Sequence, residues 1–249
     1  MDEKPLVYPP VVLAHIVDNL ADYFAPKIRD KDSVEIHYSA QLNGHPHMGT
    51  LTSLATAFTV GKYIAEIFGK EPVIKFEALD NAPVGKFSID GREYCRMHAH
   101  HLVDGIPLSE IHMASFLRVM NYFSSSTDVK FEVETYRDFQ KNPFVRSKLL
   151  EIIEREEEFV PFIAPSEGKL RIRFPCESCD VMEKTSKDSI ILDGSNPRDL
   201  LYQSNCPEHG DYQVRVSADS DTLIDFNTSL RNVIKEAKFI EDARRSNAM

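Results

Sequence analysis

The chain has 249 residues, enough to bury one large core or two modest ones. Hydrophobic residues make up 42% and charged residues 27%, no apolar run is long enough to span a bilayer, and the first five residues carry no signal-peptide pattern, so a cytoplasmic, non-membrane protein is expected. A net charge of −10 argues against an autonomous grip on nucleic acid, which needs a basic face; the basic runs are only Arg171-Ile-Arg173 and Arg244-Arg245.

Residues 12–24 carry Leu13, Ile16, Val17, Leu20 and Phe24, the spacing of a helix with one buried face. Residues 33–40 read as a strand. Residues 50–68 read as a second helix, apolar at Leu51, Leu54, Phe58, Ala65 and Phe68 and stopped at Gly69. Residues 72–80 are the next strand. Strand, helix and strand in this order make a βαβ unit with parallel strands. Ligands of such sheets bind beyond the carboxyl ends of the strands.

Two features fall at those ends. Asp80 and Asn81 follow the second strand, and Gln41-Leu-Asn-Gly-His-Pro-His-Met-Gly-Thr50 follows the first. The helix N-terminus there offers unpaired N–H groups to a phosphate. Gly44 and Gly49 let the backbone come close, and His45 and His47 can donate hydrogen bonds to phosphate oxygens as charge develops. The alternative is a polar loop with surface histidines.

Further along, residues 86–94 predict a hairpin turning at Asp90-Gly91. His98, His100 and His101 read as surface or lid histidines. Residues 110–123 form a helix with Met113, Phe116, Leu117, Met120 and Phe123 inward; residues 129–136 alternate as a strand; residues 143–160 form a charged helix whose glutamates at 154–158 face solvent. A last helix over 223–240 carries an apolar stripe at Phe226, Leu230, Val233, Ile234, Ala237 and Ile240.

Of the four cysteines, three belong to two knuckles. Cys176-Glu-Ser-Cys179 and Cys206-Pro-Glu-His209 are separated by 26 residues. Cys176, Cys179, Cys206 and His209 make a closed tetrahedral set for Zn²⁺, structural because four protein ligands leave no open position. Strands at 189–192 and 212–216 complete a small ribbon that the metal stabilises. The alternative is buried cysteines with His209 on the surface. Cys95 is left as a packing thiol. Lys184-Thr-Ser-Lys187 lies between the knuckles and is read as exposed ribbon.

Asn43-Gly-His-Pro-His-Met-Gly-Thr50 resembles the HIGH signature of class I aminoacyl-tRNA synthetases, with Thr50 at the position usually held by His or Asn. Gly105-Ile-Pro-Leu-Ser-Glu-Ile111 is similar to a segment of the class I lysyl enzymes, and the later order of helix, strand, helix and paired cysteines is also similar. The likeness covers roughly residues 33 to 216. It implies an ATP-dependent ligase that forms an aminoacyl adenylate and passes the aminoacyl group to tRNA or another acceptor. It gives His45 and His47 catalytic roles and assigns Asn43, Gly44, His45, His47, Gly49, Thr50 and Asp80 to the nucleotide or the amino acid. Lysine is the implied amino acid, and Mg²⁺ a candidate companion of ATP. Lys184-Thr-Ser-Lys187 resembles the KMSKS loop but precedes the place where that loop belongs.

The expected fold is therefore α/β: a Rossmann-type, HUP-like parallel sheet, shortened, with a helical connective insert and a zinc ribbon. The expected divisions are 1–104, 105–165, 166–218 and 219–249. The alternative function is a noncatalytic or split-subunit paralogue acting as a zinc-stabilised interaction module. The shortened sheet and the apolar stripe of the last helix lead to an expectation of a homo-oligomer or a partner subunit, with residues 222–245 near the contact.

Overall fold

The computed structural model describes residues 20–31, 33–185, 190–196 and 199–246. The first expected helix falls mostly outside them; its described part continues as α1, Leu20–Ile28. Then come β1, Val34–Gln41, α2, Met48–Phe68, and β2, Pro72–Leu79. Short strands follow: β3, Pro83–Ile89, β4, Arg92–Met97, β5, Leu102–Val103, and β6, Ile106–Pro107. Next are α3, Leu108–Thr127, β7, Lys130–Thr135, α4, Tyr136–Lys141, α5, Pro143–Glu154, and α6, Glu156–Ile163. The last third holds β8, Ile172–Arg173, β9, Met182–Glu183, β10, Ile190–Asn196, β11, Asp199–Cys206, β12, Gly210–Ser217, β13, Asp225–Phe226, and α7, Thr228–Ser246.

The fold is mixed α/β around a small parallel sheet of order β1-β2-β7. The chain forms two compact units. The first draws on Met1–Tyr38, Pro46–Phe76 and Phe116–Val133; the second on Ser39–His45, Glu77–Ser115 and Glu134–Met249.

In the first unit the apolar side of the sheet packs on helices. Phe76 of β2 stacks between Tyr38 and Phe116, with ring centroids 5.8 and 5.6 Å away. Gly61 of α2 lies so close to the residue preceding β7 that a Cβ there would meet a Val129 methyl at 3.0 Å. The α2 helix ends at Gly69, whose φ of 62° is the left-handed geometry of a C-cap. The opposite side of the sheet is ionic. Lys75 reaches Glu35 of β1 at 3.5 Å and Glu132 of β7 at 2.5 Å, bridging all three strands. A doubly wound domain would cover that side with apolar helices; here charge keeps it compatible with water.

The second unit holds the larger core, built from Tyr136, Phe139, Leu149, Phe174, Leu200, Ile224 and Leu230 among others. Its ribbon is the antiparallel sheet β10-β11-β12, with Asp199 to Cys206 of β11 in register with Ser217 to Gly210 of β12. A second small sheet, β3-β4-β9, begins with the predicted hairpin, whose Asp90 and Gly91 both have positive φ. The two-residue pair β8 and β13 brings Arg173 beside Asp225, both buried, in an ion pair that also holds Asn81.

Two helix expectations change. The single helix over 143–160 is two, broken at Arg155 (φ −101°, ψ 32°). The break lets Glu156, Glu157 and Glu158 fill the first turn of α6, where carboxylates suit the helix dipole. Glu156 is not simply solvated, because it accepts the Leu170 N–H. The last helix starts at Thr228 rather than 223. Asn227 Oδ1 accepts the Leu230 N–H at 3.1 Å and caps it, while Asp225 and Phe226 are strand. Its stripe divides: Leu230 and Ile234 are fully buried, whereas Val233 and Ile240 are exposed. Lys235 of this helix reaches buried Glu77 at 3.0 Å.

Candidate functional site

The four predicted metal ligands come together. The ligand atoms of Cys176, Cys179, Cys206 and His209 all lie within 4.8 Å of one another. Cys179 Sγ and Cys206 Sγ are 3.5 Å apart, and His209 Nδ1 lies 3.7 Å from Cys176 Sγ and 3.5 Å from Cys206 Sγ. A tetrahedral zinc, with about 2.3 Å bonds to sulfur and about 2.05 Å to nitrogen, requires about 3.8 Å between sulfurs and about 3.6 Å between sulfur and nitrogen. The cluster can therefore hold a metal such as zinc.

Local structure explains why the sequence builds it. In the first knuckle the Cys179 and Asp180 N–H groups turn back to the Cys176 carbonyl, and Asp180 takes a φ of 60°. The second knuckle is the tip of the β11–β12 hairpin, closed by Gly210 at φ 73°. The metal set thus joins that hairpin to the segment leading into β9. Tyr94, Val181, Phe87 and Tyr212 pack around the sulfurs. Burial opposes ionisation of Cys206, but the N–H groups of Glu208 and His209 and the His209 ring outweigh it and bring the thiol down to about 7. Burial pushes Cys179 up to about 12, with Val181 N–H opposing and the neighbouring sulfurs adding to the rise. A divalent ion supplies the charge that lets all three sulfurs ionise together.

An outer layer anchors the first knuckle. Arg96 Nε donates to the Cys179 carbonyl at 3.0 Å. His100 Nδ1 is 3.0 Å from Asp180, and His100 Nε2 is 3.0 Å from the Arg137 guanidinium. Burial lowers the His100 pKa. Lys184, expected as an exposed ribbon lysine, is instead half-buried after β9 and pairs with Glu93 of β4 at 2.7 Å; Ser186 and Lys187 lie outside the described residues. Cys95 is fully buried beside the Arg173 guanidinium.

The turn after β1 divides between the units. In the first, His47 is the N-cap of α2: its Nδ1 accepts the N–H of Gly49 at 3.1 Å and of Thr50 at 3.4 Å. This corrects the expectation that these N–H groups stand free for a phosphate, because the imidazole already takes both. The same bonds leave Nε2 as the protonated nitrogen, a donor. Gly49 is explained by the ring, since a Cβ there would meet His47 Cε1 at 3.0 Å and Nδ1 at 3.2 Å. Thr50 also bonds the Tyr38 hydroxyl, whose pKa burial raises.

In the second unit, Asn43 donates to Gln41 at 3.2 Å, and a side chain at Gly44 would meet nothing within 4 Å. His45 Nδ1 lies 2.7 Å from Ser115 Oγ. Asp80 sits at the end of β2, only 6% exposed, with Oδ1 unpartnered among the described residues. Burial lifts its pKa to about 6, against the pull of the Arg137 charge and its N–H. His98, read as a surface or lid residue, is instead 2% exposed; its Nδ1 donates to the Ala82 carbonyl at 2.7 Å.

Neither protein-family models nor curated proteins yield a match to this chain. Among the described residues no helix is long and apolar enough to cross a membrane.

Proposed function

We propose that the chain is a class I lysyl-tRNA synthetase-like protein that activates an amino acid on ATP, with a structural zinc in its Cys₃His cluster. The observation that carries this reading is the HIGH-like segment 43–50 between β1 and α2 of a parallel β1-β2-β7 sheet, with Asp80 ending the neighbouring strand. The reaction joins the amino-acid carboxylate to the α-phosphorus of ATP and releases pyrophosphate. Catalysis then rests on positioning and on stabilising phosphate charge. The His47 Nε2–H, oriented by the cap, is a donor for a phosphate oxygen, and His45 has the same role by resemblance. Asn43, Gly44, Gly49 and Thr50 border the nucleotide, with Mg²⁺ as its companion ion. Asp80 Oδ1, buried and without a partner among the described residues, suits the ammonium of the amino acid. The acceptor is tRNA or another nucleophile.

One observation favours a second reading. The N–H groups of Gly49 and Thr50, which an anion would use, are already bonded to His47. That closure favours a noncatalytic or split-subunit module keeping a metal-stabilised fold, for which a homo-oligomeric or heteromeric partner is part of the proposal. Amino acid-dependent exchange of pyrophosphate into ATP, assayed across all amino acids, separates the two. Exchange with one amino acid, abolished in His47→Ala, supports activation; no exchange and no ATP binding at millimolar concentration supports the module.

A further inference from the structure

Three histidines distant in sequence meet in the second unit. His45 follows β1, His98 follows β4, and His112 lies on α3. The His112 ring centroid is 5.4 Å from that of His45 and 5.8 Å from that of His98. The rings are tilted by 56° and 47°, so this is not a stack.

Every Nδ1 is already engaged. His98 Nδ1 bonds the Ala82 carbonyl at 2.7 Å, His112 Nδ1 bonds the Leu42 carbonyl at 2.9 Å, and His45 Nδ1 bonds Ser115 Oγ at 2.7 Å. A carbonyl only accepts, so His98 and His112 must carry their proton on Nδ1 and keep a lone pair on Nε2. Among the described residues no hydrogen bond takes Nε2 of His45, His98 or His112. An imidazole whose Nδ1–H is held by a backbone carbonyl while Nε2 stays open is the arrangement of a metal-binding histidine.

The spacing points the same way. With metal–nitrogen bonds of about 2.05 Å, imidazoles around a tetrahedral ion have centroids about 5.2 Å apart. The two observed separations, from His112 to His45 and from His112 to His98, exceed this by about 0.2 and about 0.6 Å. Only the Cys₃His cluster, among the described residues, has its ligand atoms already drawn within 4.8 Å, so the histidines must close on the ion. His45 is exposed and held only through Ser115 Oγ, so it is the member that has to move toward the ion, while His98 is buried.

We propose that His45, His98 and His112 form a second metal site, for a divalent transition ion that favours imidazole nitrogen. Three nitrogens leave a fourth position open to water or to a ligand oxygen, unlike the closed Cys₃His set. The site needs neither ATP nor an amino acid, but it uses the His45 nitrogen that the synthetase reading gives to a phosphate, so His45 fills only one of the two roles at a time.

The test is titration of untagged, zinc-loaded protein with Co²⁺, without nucleotide. The expected result is one further ion per chain, with ligand-field absorption but no new sulfur-to-cobalt charge transfer. His45→Ala, an exposed change, should weaken this ion at least about tenfold at an unchanged melting temperature, and His112→Gln should do likewise. No saturable second ion up to millimolar Co²⁺, or a second ion bound equally by both variants, overturns the proposal. Absence of pyrophosphate exchange leaves it intact, because the readout needs neither ATP nor an amino acid.

Discussion

Replacing Gly49 by Ala tests whether the His47 ring is held as described. Alanine is favoured over glycine within a helix by up to about 1 kcal/mol. The new Cβ would meet His47 Cε1 at 3.0 Å and Nδ1 at 3.2 Å, tighter than an ordinary van der Waals contact. The ring must therefore give by a few tenths of an ångström, which weakens or breaks its bonds to the Gly49 and Thr50 N–H groups. Losing such a cap costs about 1 kcal/mol, within a range of about 0.5–2. In the native background the two effects oppose each other, and the net change should be near zero or destabilising. With His47→Ala the clash and the cap are both gone, and Gly49→Ala should stabilise by up to about 1 kcal/mol. The coupling between the two sites is then about 1–2 kcal/mol. Urea denaturation of the four proteins measures it. Additive effects within about 0.3 kcal/mol would refute this account of the cap.

Asp80 gives a pH prediction. Its folded pKa of about 6 lies above the unfolded value of about 3.9, so the native state binds its proton more tightly. This contribution to stability is greatest below the unfolded pKa, falls as pH rises from about 4 to 6, and is flat beyond. Asp80→Asn should remove that slope and raise stability at pH 8 by about 2 kcal/mol, read from denaturation at a series of pH values. Asp225→Ala leaves the buried Arg173 guanidinium unpaired and should cost about 3–5 kcal/mol by the same denaturation assay. Gly44→Ala should change stability by less than about 0.5 kcal/mol, since the added methyl meets open space; a loss of ATP affinity in that variant would mark close approach of the nucleotide.

What could be read from the sequence was mostly local. The metal ligands stand out because each knuckle keeps its two ligands three positions apart, a spacing fixed by one turn of chain. The Asp90-Gly91 turn is legible for a similar reason, since few residue pairs tolerate positive φ twice. Strand β11 escaped notice. It buries Leu200, Tyr202, Ser204 and Cys206 while Leu201 points the other way, so its alternation is not one of apolar with polar. The break at Arg155 was hidden because residues on both sides favour helix. His47 as a cap was missed because histidine is not a usual N-cap residue, and only Gly49 beneath it makes room for the ring. The cluster of His45, His98 and His112 has no sequence signal, because the fold joins positions far apart in the chain.

The central structural claim is that the Cys₃His cluster is a metal centre that holds the ribbon together. X-ray absorption at the zinc edge, on protein carrying one equivalent of zinc, tests it directly, with amide exchange measured on the same sample before and after chelation. The account predicts a first shell of three sulfurs at about 2.3 Å and one nitrogen at about 2.05 Å. It also predicts loss of exchange protection in β11 and β12 when the metal is withdrawn. A shell without sulfur, or a chelated chain whose β11 and β12 stay fully protected, would contradict it.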